Sequence, residues 1–256
     1  MNKFVWSKVL ITGLVAGLGF FSPVRAQDVN SGRELTAEEK AFELRTRKQL
    51  VDLMIAAQKS AFGGDYELVD SEPALEPNQG ISFEDVKKSY CLMFELRFQM
   101  KPGTARYNQV QSELEKFLQK AATLQSPEEA QALTDVMEPS IYLNPQITVY
   151  VNDDAHIDFI SFRRNQQKLT KPGARYVVRG DGETSTALYF GRFGPLREEN
   201  DTTPGSKAFA ATPQFNPQTP RFAVQSVLLV IRAPHDFVDT LYSKLNLTAL
   251  QNLMAP

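Results

Sequence analysis

Cysteine and histidine are almost missing from this sequence. Its 256 residues include one cysteine, Cys91, and two histidines, His156 and His235. A single cysteine excludes an intramolecular disulfide, and so few histidines and cysteines exclude the usual Cys/His zinc cluster. Because Cys91 lies inside an alternating apolar segment, we predict that it is a packed residue and not a nucleophile.

Short catalytic signatures are missing as well. The sequence contains no HExxH, GxSxG or SxxK motif and no Walker loop, which excludes the common zinc-protease, serine-hydrolase and nucleotide-binding patterns. His156 and Asp158, two positions apart on a predicted strand, point to one face and are weak candidates for a metal or acid–base site. A polar turn followed by a solvent-facing strand explains them better, and we expect no cofactor.

An apolar stretch stands near the N-terminus. Lys3 and Lys8 supply positive charge, residues 9–21 form an apolar core, and small side chains lead up to Ala26. This pattern is typical of a cleavable signal peptide, which we predict over residues 1–26. The apolar core is shorter than the roughly 20 residues that a membrane-spanning helix needs. We therefore expect a periplasmic or secreted protein with no transmembrane segment after cleavage.

Charge is unevenly distributed along the chain. The whole sequence carries 28 basic and 30 acidic side chains, so nucleic-acid binding is not favoured. Residues 27–139 contain 13 basic and 20 acidic side chains, a net charge of −7, whereas residues 159–232 contain 11 and 5, a net charge of +6. Ordinary solvated surface is one interpretation. The other is a basic face for an anionic protein, glycan or lipid head group.

The N-terminal half predicts helices and one strand. Thr36 and Glu39 form a capping box at the start of a helix, and Gly63 is a natural stop. Apolar side chains occupy every second position from Tyr90 to Met100, which predicts a strand. Further helices are predicted over about 105–124 and 126–138, with a connector at 69–80.

The C-terminal half predicts mostly strands. Alternating apolar residues favour one hairpin at 147–151 and 156–163, and a second at 176–179 and 184–190. A nearly continuous apolar run at 224–231 predicts a central strand that is buried on both faces. The remaining predictions are a long loop at 191–221 and short helices at 235–244 and 247–253.

Together these elements predict an α+β fold. N-terminal helices and one strand pack with a mostly antiparallel C-terminal sheet, and the chain ends in short helices. Residues 27–34 are predicted to be disordered. Residues 35–256 are predicted to form a single domain, which is helix-rich over 35–139 and strand-rich over 140–256.

The candidate partner site lies in the basic segment. Arg192 stands at the start of the loop at 191–221, where it can supply charge-assisted hydrogen bonds, and the aromatic Tyr189 precedes it. Sequential hairpins usually neighbour each other in a sheet, so several arginines are expected on one face or rim. The predicted partner-binding residues are Arg163, Arg179, Tyr189, Arg192 and Arg197.

Three functions are compatible with these patterns. The preferred one is an exported, soluble, non-enzymatic envelope or periplasmic protein that binds an anionic partner. It rests on the charge asymmetry, the long loop and the missing catalytic signatures. The first alternative is a scaffold subunit of an envelope assembly. The second is a carboxylate- or metal-dependent hydrolase, because carboxylate-pair enzymes have no short signature.

Overall fold

Nine strands and five helices are described in the computed structural model, over residues 35–70, 89–121, 139–153, 166–180, 185–200 and 207–255. The chain divides into Met1–Ser31 and Gly32–Pro256, and every described residue belongs to the second unit. The predictions that lie wholly outside the described residues are the signal peptide (1–26), the disordered segment (27–34), the helix at 126–138 and the strand at 156–163.

A long helix opens the described chain and two short helices close it. The helices are α1 (Ala37–Phe62), α2 (Ala105–Ala121), α3 (Pro139–Leu143), α4 (His235–Lys244) and α5 (Leu247–Leu253). The strands are β1 (Tyr66–Asp70), β2 (Leu92–Met100), β3 (Gln146–Val151), β4 (Gln167–Leu169), β5 (Tyr176–Arg179), β6 (Ser185–Gly191), β7 (Arg197–Asn200), β8 (Lys207–Ala210) and β9 (Ser226–Arg232). Within these ranges, no helix combines the length and the apolar character needed to cross a bilayer.

Seven strands form one sheet, in the order β1-β2-β3-β9-β6-β5-β4. Every neighbouring pair in it is antiparallel. β7 and β8 form a separate antiparallel pair. The predicted α+β class is confirmed, because an N-terminal helix precedes a large antiparallel sheet and short helices follow it.

β9 is the central strand of the sheet. It pairs with β3 along one edge and with β6 along the other. All of its residues from Ser226 to Ile231 are buried. This confirms the prediction, from the continuous apolar run, of a central strand buried on both faces.

α1 begins and ends where its capping residues predict. Glu39 N donates to Thr36 Oγ1 at 3.2 Å and Thr36 N donates to Glu39 Oε2 at 2.7 Å, so the capping box is complete. Gly63 adopts the left-handed conformation with φ 60°, and its N–H donates to Lys59 O. The buried apolar side chains of the helix are Phe42, Leu50, Met54, Ala57 and Phe62.

The sheet packs on both faces. On the first face, Phe94, Val149 and Leu229 from neighbouring strands meet apolar side chains of α1, α4 and α5 in the larger core cluster. On the second face, a smaller cluster includes Tyr189 and Phe209. Because Phe209 belongs to β8, the β7–β8 hairpin covers part of this second face.

Three predicted connections differ from the structure. β3 pairs with β2 and β9 along its two edges, so no edge remains for the predicted hairpin with 156–163, a segment that the structure does not describe. The predicted loop at 191–221 contains the β7–β8 hairpin. β1 reaches Asp70, into the predicted connector. These strands were missed because each is only four or five residues long, too short for an apolar alternation to stand out, and β7 consists of polar side chains.

The prediction that Cys91 is a packed residue is wrong. Cys91 is exposed, while its neighbours Tyr90 and Leu92 are buried. The alternation along this segment therefore places Cys91 on the side opposite the larger core cluster, which contains Tyr90 and Leu92. Its Sγ donates to the backbone oxygen of Asn152 at 2.9 Å.

Candidate functional site

An aromatic cluster occupies the second face of the sheet. The strand register places Tyr176 opposite Tyr189, and their ring centroids are 6.1 Å apart. The rings of Tyr189 and Phe193 meet edge to face at 5.0 Å, a favourable geometry for aromatic pairs. Phe209 packs in the same group of buried side chains. We call Tyr176, Tyr189, Phe193 and Phe209 the aromatic cluster.

Two exposed cations lie directly over rings of the aromatic cluster. Lys168 Nζ is 4.2 Å from the ring centroid of Phe209. Arg175 Cζ is 5.4 Å from the ring centroid of Tyr176. Both residues are exposed to solvent. Each positive group is therefore held against an apolar support while it faces water.

Two further exposed cations are near the aromatic cluster in sequence or by strand pairing. Arg192 directly precedes Phe193, and Arg197 lies on β7, which pairs with the strand that carries Phe209. Among the residues that the structure describes, no acidic side chain forms a salt bridge with these two arginines or with the two stacked cations. We call Lys168, Arg175, Arg192 and Arg197 the cationic rim.

Other cations of the basic segment have acidic partners. Arg179 Nη2 lies 2.5 Å and Lys171 Nζ lies 2.7 Å from Asp239 Oδ1. Arg221 Nη1 lies 2.8 Å from Glu39 Oε1. Their positive charge is compensated within the protein, whereas the cationic rim has no such acidic partner among the described residues.

The predicted partner-binding residues differ in their burial and in their contacts. Arg192 and Arg197 belong to the cationic rim. Arg179 is half-buried and bound to its acidic partner on α4. Tyr189 is 2 % exposed and supports the rim from inside the aromatic cluster, so it does not reach the surface. The predicted residues that lie outside the described part of the chain are Arg163, His156 and Asp158.

The ion pairs of Asp239 predict a pH-dependent stability. Burial tends to raise the pKa of Asp239, but the hydrogen bonds and charges of Arg179 and Lys171 outweigh it and hold the pKa below the ordinary value of 3.8. A depressed folded-state pKa means that this carboxylate stabilises the fold above the unfolded-state pKa and stops doing so as the pH falls through the folded-state pKa.

We therefore expect wild type to exceed Asp239→Asn in stability by a constant amount between about pH 5 and 8. The difference shrinks when the pH falls below the ordinary carboxyl pKa of 3.8. Urea denaturation of both proteins over this pH series measures it. A difference that increases on acidification contradicts the assigned ion pairs.

A second group of charges is buried between α1 and the sheet. Glu39 and Glu43 are both 0 % exposed. Tyr90 Oη donates to Glu43 Oε1 at 2.6 Å, and Arg47 Nη2 lies 3.5 Å from Glu43 Oε2. Arg221 Nη1 donates to Glu39 Oε1 at 2.8 Å. We call these five residues the buried network.

Burial changes the ionisation of the buried network. Burial raises the pKa of Tyr90 far above its ordinary value, and its hydrogen bond to Glu43 and the charge of that carboxylate raise it further. Burial lowers the pKa of Arg47, an effect that the charge of Glu43 opposes. Tyr90 therefore remains a neutral hydrogen-bond donor, which is the form that a carboxylate acceptor requires.

Asn152 fixes the chain beside the buried network. Its φ of 54° lies in the left-handed region, which asparagine adopts more readily than most residues. Its Nδ2 donates to Tyr90 O at 3.0 Å and to Ala223 O at 2.9 Å. Its Oδ1 accepts from Gln225 N at 2.7 Å and from Ser226 N at 3.2 Å. This one side chain joins the segment before β9 to the start of β2.

Only part of the buried network can be recognised from residues that are close together in the sequence. Glu39, Glu43 and Arg47 are four residues apart and therefore share one side of α1. This spacing predicts ion pairing along the helix but not burial, because Lys48 and Asp52 have the same spacing and are exposed. The partner Arg221 stands 182 positions from Glu39, a contact that no local pattern reveals.

Within the described ranges, no group of three or more His, Cys, Asp or Glu side chains is arranged to hold a metal ion. Comparison of the chain with protein-family models, curated proteins and solved structures found no match. The cationic rim and the buried network are the candidate sites that the described residues provide.

Proposed function

We propose that this protein is exported and binds an anionic partner, without catalysis, through the cationic rim. The observation that carries the proposal is the contrast within one basic segment. Arg179 and Lys171 share the carboxylate of Asp239, whereas Lys168 and Arg175 are exposed on aromatic rings and have no acidic partner among the described residues. Stacking limits the freedom of these long side chains, so less entropy is lost when they bind.

The chemistry of the rim favours a partner that carries several negative groups. Three of its four members are arginines, whose planar guanidinium binds carboxylates and phosphates with two parallel hydrogen bonds. Lys168 and Arg175 contact rings of the aromatic cluster, and the four cations lie on four different segments. A polyanionic surface meets such a set better than a single small anion, and its approach is accelerated by the field of the rim.

Charge reversal in the rim tests this function. We expect Arg175→Glu and Arg192→Glu each to weaken binding by about tenfold or more at low salt, because reversal turns an attraction of about 1 kcal/mol into a repulsion. Binding of the purified protein to phosphatidylglycerol vesicles and to the acidic glycan alginate is measured by light scattering and by calorimetry. Wild-type binding should fall as salt rises, since exposed charges are screened.

Arg45 provides the matched control for these variants. It is also exposed, and its Cζ lies 5.9 Å from the ring centroid of Phe42, but it belongs to α1 and not to the rim. Arg45→Glu makes the same change in net charge and should leave binding close to that of wild type. Equal weakening by all three substitutions reduces the effect to net charge and contradicts a rim-specific site.

A further inference from the structure

The backbone of Arg192, a member of the cationic rim, is held on both sides. Its N–H donates to the backbone oxygen of Gln225 at 2.9 Å, and its own backbone oxygen accepts from Gln214 N at 3.0 Å. The next residue, Phe193, is 1 % exposed and belongs to the aromatic cluster. The exposed side chain of Arg192 therefore starts from a fixed backbone position.

Gln225, which accepts from Arg192, is itself fixed inside the fold. It is 1 % exposed, and its backbone N donates to Asn152 Oδ1 at 2.7 Å. Its Nε2 donates to Ser89 Oγ at 2.7 Å, and its Oε1 accepts from Asn216 N at 2.7 Å. Each polar atom of this buried glutamine has a hydrogen-bond partner, so Gln225 is a rigid support for Arg192.

A glycine makes this close contact possible. Gly191 directly precedes Arg192 and has φ 84°, in the left-handed region that glycine adopts without strain. A Cβ atom at this position would clash with the backbone oxygen of Gln225, which is the acceptor for Arg192 N. It would also lie 2.6 Å from Met254 Sδ. The methionine side chain can turn away, but the backbone oxygen of Gln225 is held in place by the contacts described above.

We propose that Gly191 and Gln225 are positioning residues of the cationic rim, because their close contact fixes where Arg192 presents its guanidinium to the anionic partner. This inference rests on the function proposed above. A cation on a fixed backbone loses less freedom on binding than one on a flexible loop. A side chain at Gly191 forces the two segments apart, breaks the bond from Arg192 N and moves this arginine relative to the rest of the rim.

Binding of Gly191→Ala to phosphatidylglycerol vesicles tests the positioning role. We expect Arg192→Ala to weaken binding by about fivefold, through the loss of one exposed charge. Gly191→Ala should weaken it by about threefold, because the arginine remains but is displaced. Gly191→Ala should have no further effect when combined with Arg192→Ala, and its full effect when combined with Arg175→Ala. General damage to the fold does not produce such coupling to one rim residue.

Gly103 provides the matched control. Its φ of 83° is nearly that of Gly191, but a Cβ atom there meets nothing within 4 Å. Gly103→Ala therefore introduces the same backbone strain without crowding, at a position just before α2. Its vesicle binding should equal that of wild type.

Amide hydrogen exchange followed by NMR gives a readout that needs no partner. We expect the Arg192 amide of wild type to exchange slowly, because its N–H is bonded to a buried residue. Exchange of this amide should be at least about tenfold faster in Gly191→Ala and unchanged in Gly103→Ala. The wild-type measurement keeps the test decisive should Gly191→Ala fail to fold.

Different results contradict the positioning role and the function of the rim. The positioning role is overturned if the wild-type Arg192 amide exchanges as fast as that of an unstructured peptide, or if Gly191→Ala leaves its exchange unchanged. It is also overturned if Arg192→Ala weakens vesicle binding and Gly191→Ala does not, or if Gly191→Ala weakens binding equally with and without Arg192. Wild-type binding by Arg192→Ala contradicts the rim function at Arg192 and the positioning role with it.

Discussion

Replacing Glu43 with alanine is expected to lower the free energy of unfolding by about 3–5 kcal/mol, because it removes one side of a buried ion pair. Glu43 is 0 % exposed, and its carboxylate meets both Arg47 Nη2 and Tyr90 Oη. The substitution leaves the guanidinium of Arg47 desolvated in the folded state but removes its attraction to this carboxylate. Urea denaturation followed by circular dichroism measures the change.

An exposed ion pair on the same helix provides the control. Lys48 Nζ and Asp52 Oδ2 are 2.6 Å apart and have the same four-residue spacing, but their side chains are 74 % and 59 % exposed. Asp52→Ala should therefore cost no more than about 0.5 kcal/mol. The double variant Glu43→Leu, Arg47→Met should recover most of the loss, since apolar side chains remove the desolvation penalty of both charges. Similar losses for Glu43→Ala and Asp52→Ala would contradict the burial of the network.

Phe94→Ala should destabilise the protein by about 3–5 kcal/mol, the usual range for deleting a buried phenylalanine. Phe94 is 1 % exposed, on the first face of β2, and the guanidinium of Arg47 lies 5.6 Å from its ring centroid. The substitution therefore opens a cavity in the larger core cluster and also removes an aromatic contact of the buried network. Thermal and chemical denaturation both report the loss.

The same strand supplies the comparison for Phe94. Gln99 is exposed on the opposite face of β2, so Gln99→Ala should change stability by less than about 0.5 kcal/mol. A loss below about 1 kcal/mol for Phe94→Ala would mean that the first face of β2 is not packed as described.

Local sequence patterns predicted those helices and strands whose conformation is determined by side chains close together in the sequence. The capping box of α1, the alternation of β2 and the apolar run of β9 each specify a structure through neighbours only a few residues away. Strand pairing is different, because β3 pairs with β9 about 80 residues later in the chain. Alternation shows which side chains face the core but not which strand lies alongside.

The candidate sites were predictable to an unequal degree. The excess of positive charge in residues 159–232 is visible in the sequence and led to Arg192 and Arg197. An arginine is free to bind a partner only if no acidic side chain of the protein pairs with it. Such an acidic side chain can be far away in the sequence: Asp239, which pairs with Arg179, lies 60 positions from it. Tyr189 illustrates the same limit, because the sequence does not show whether an aromatic residue beside a loop is buried under the surface or exposed on it.

The position of β9 has a consequence for the order in which the chain folds. The pairs β1–β2–β3 and β4–β5–β6 join segments that are close in sequence, and each group can assemble soon after it is synthesised. Only β9, the last of the described strands, connects the two groups. Such long-range pairing closes large loops and slows folding. We therefore expect the two groups of strands to join into one sheet only when residues 226–232 pair with both of them.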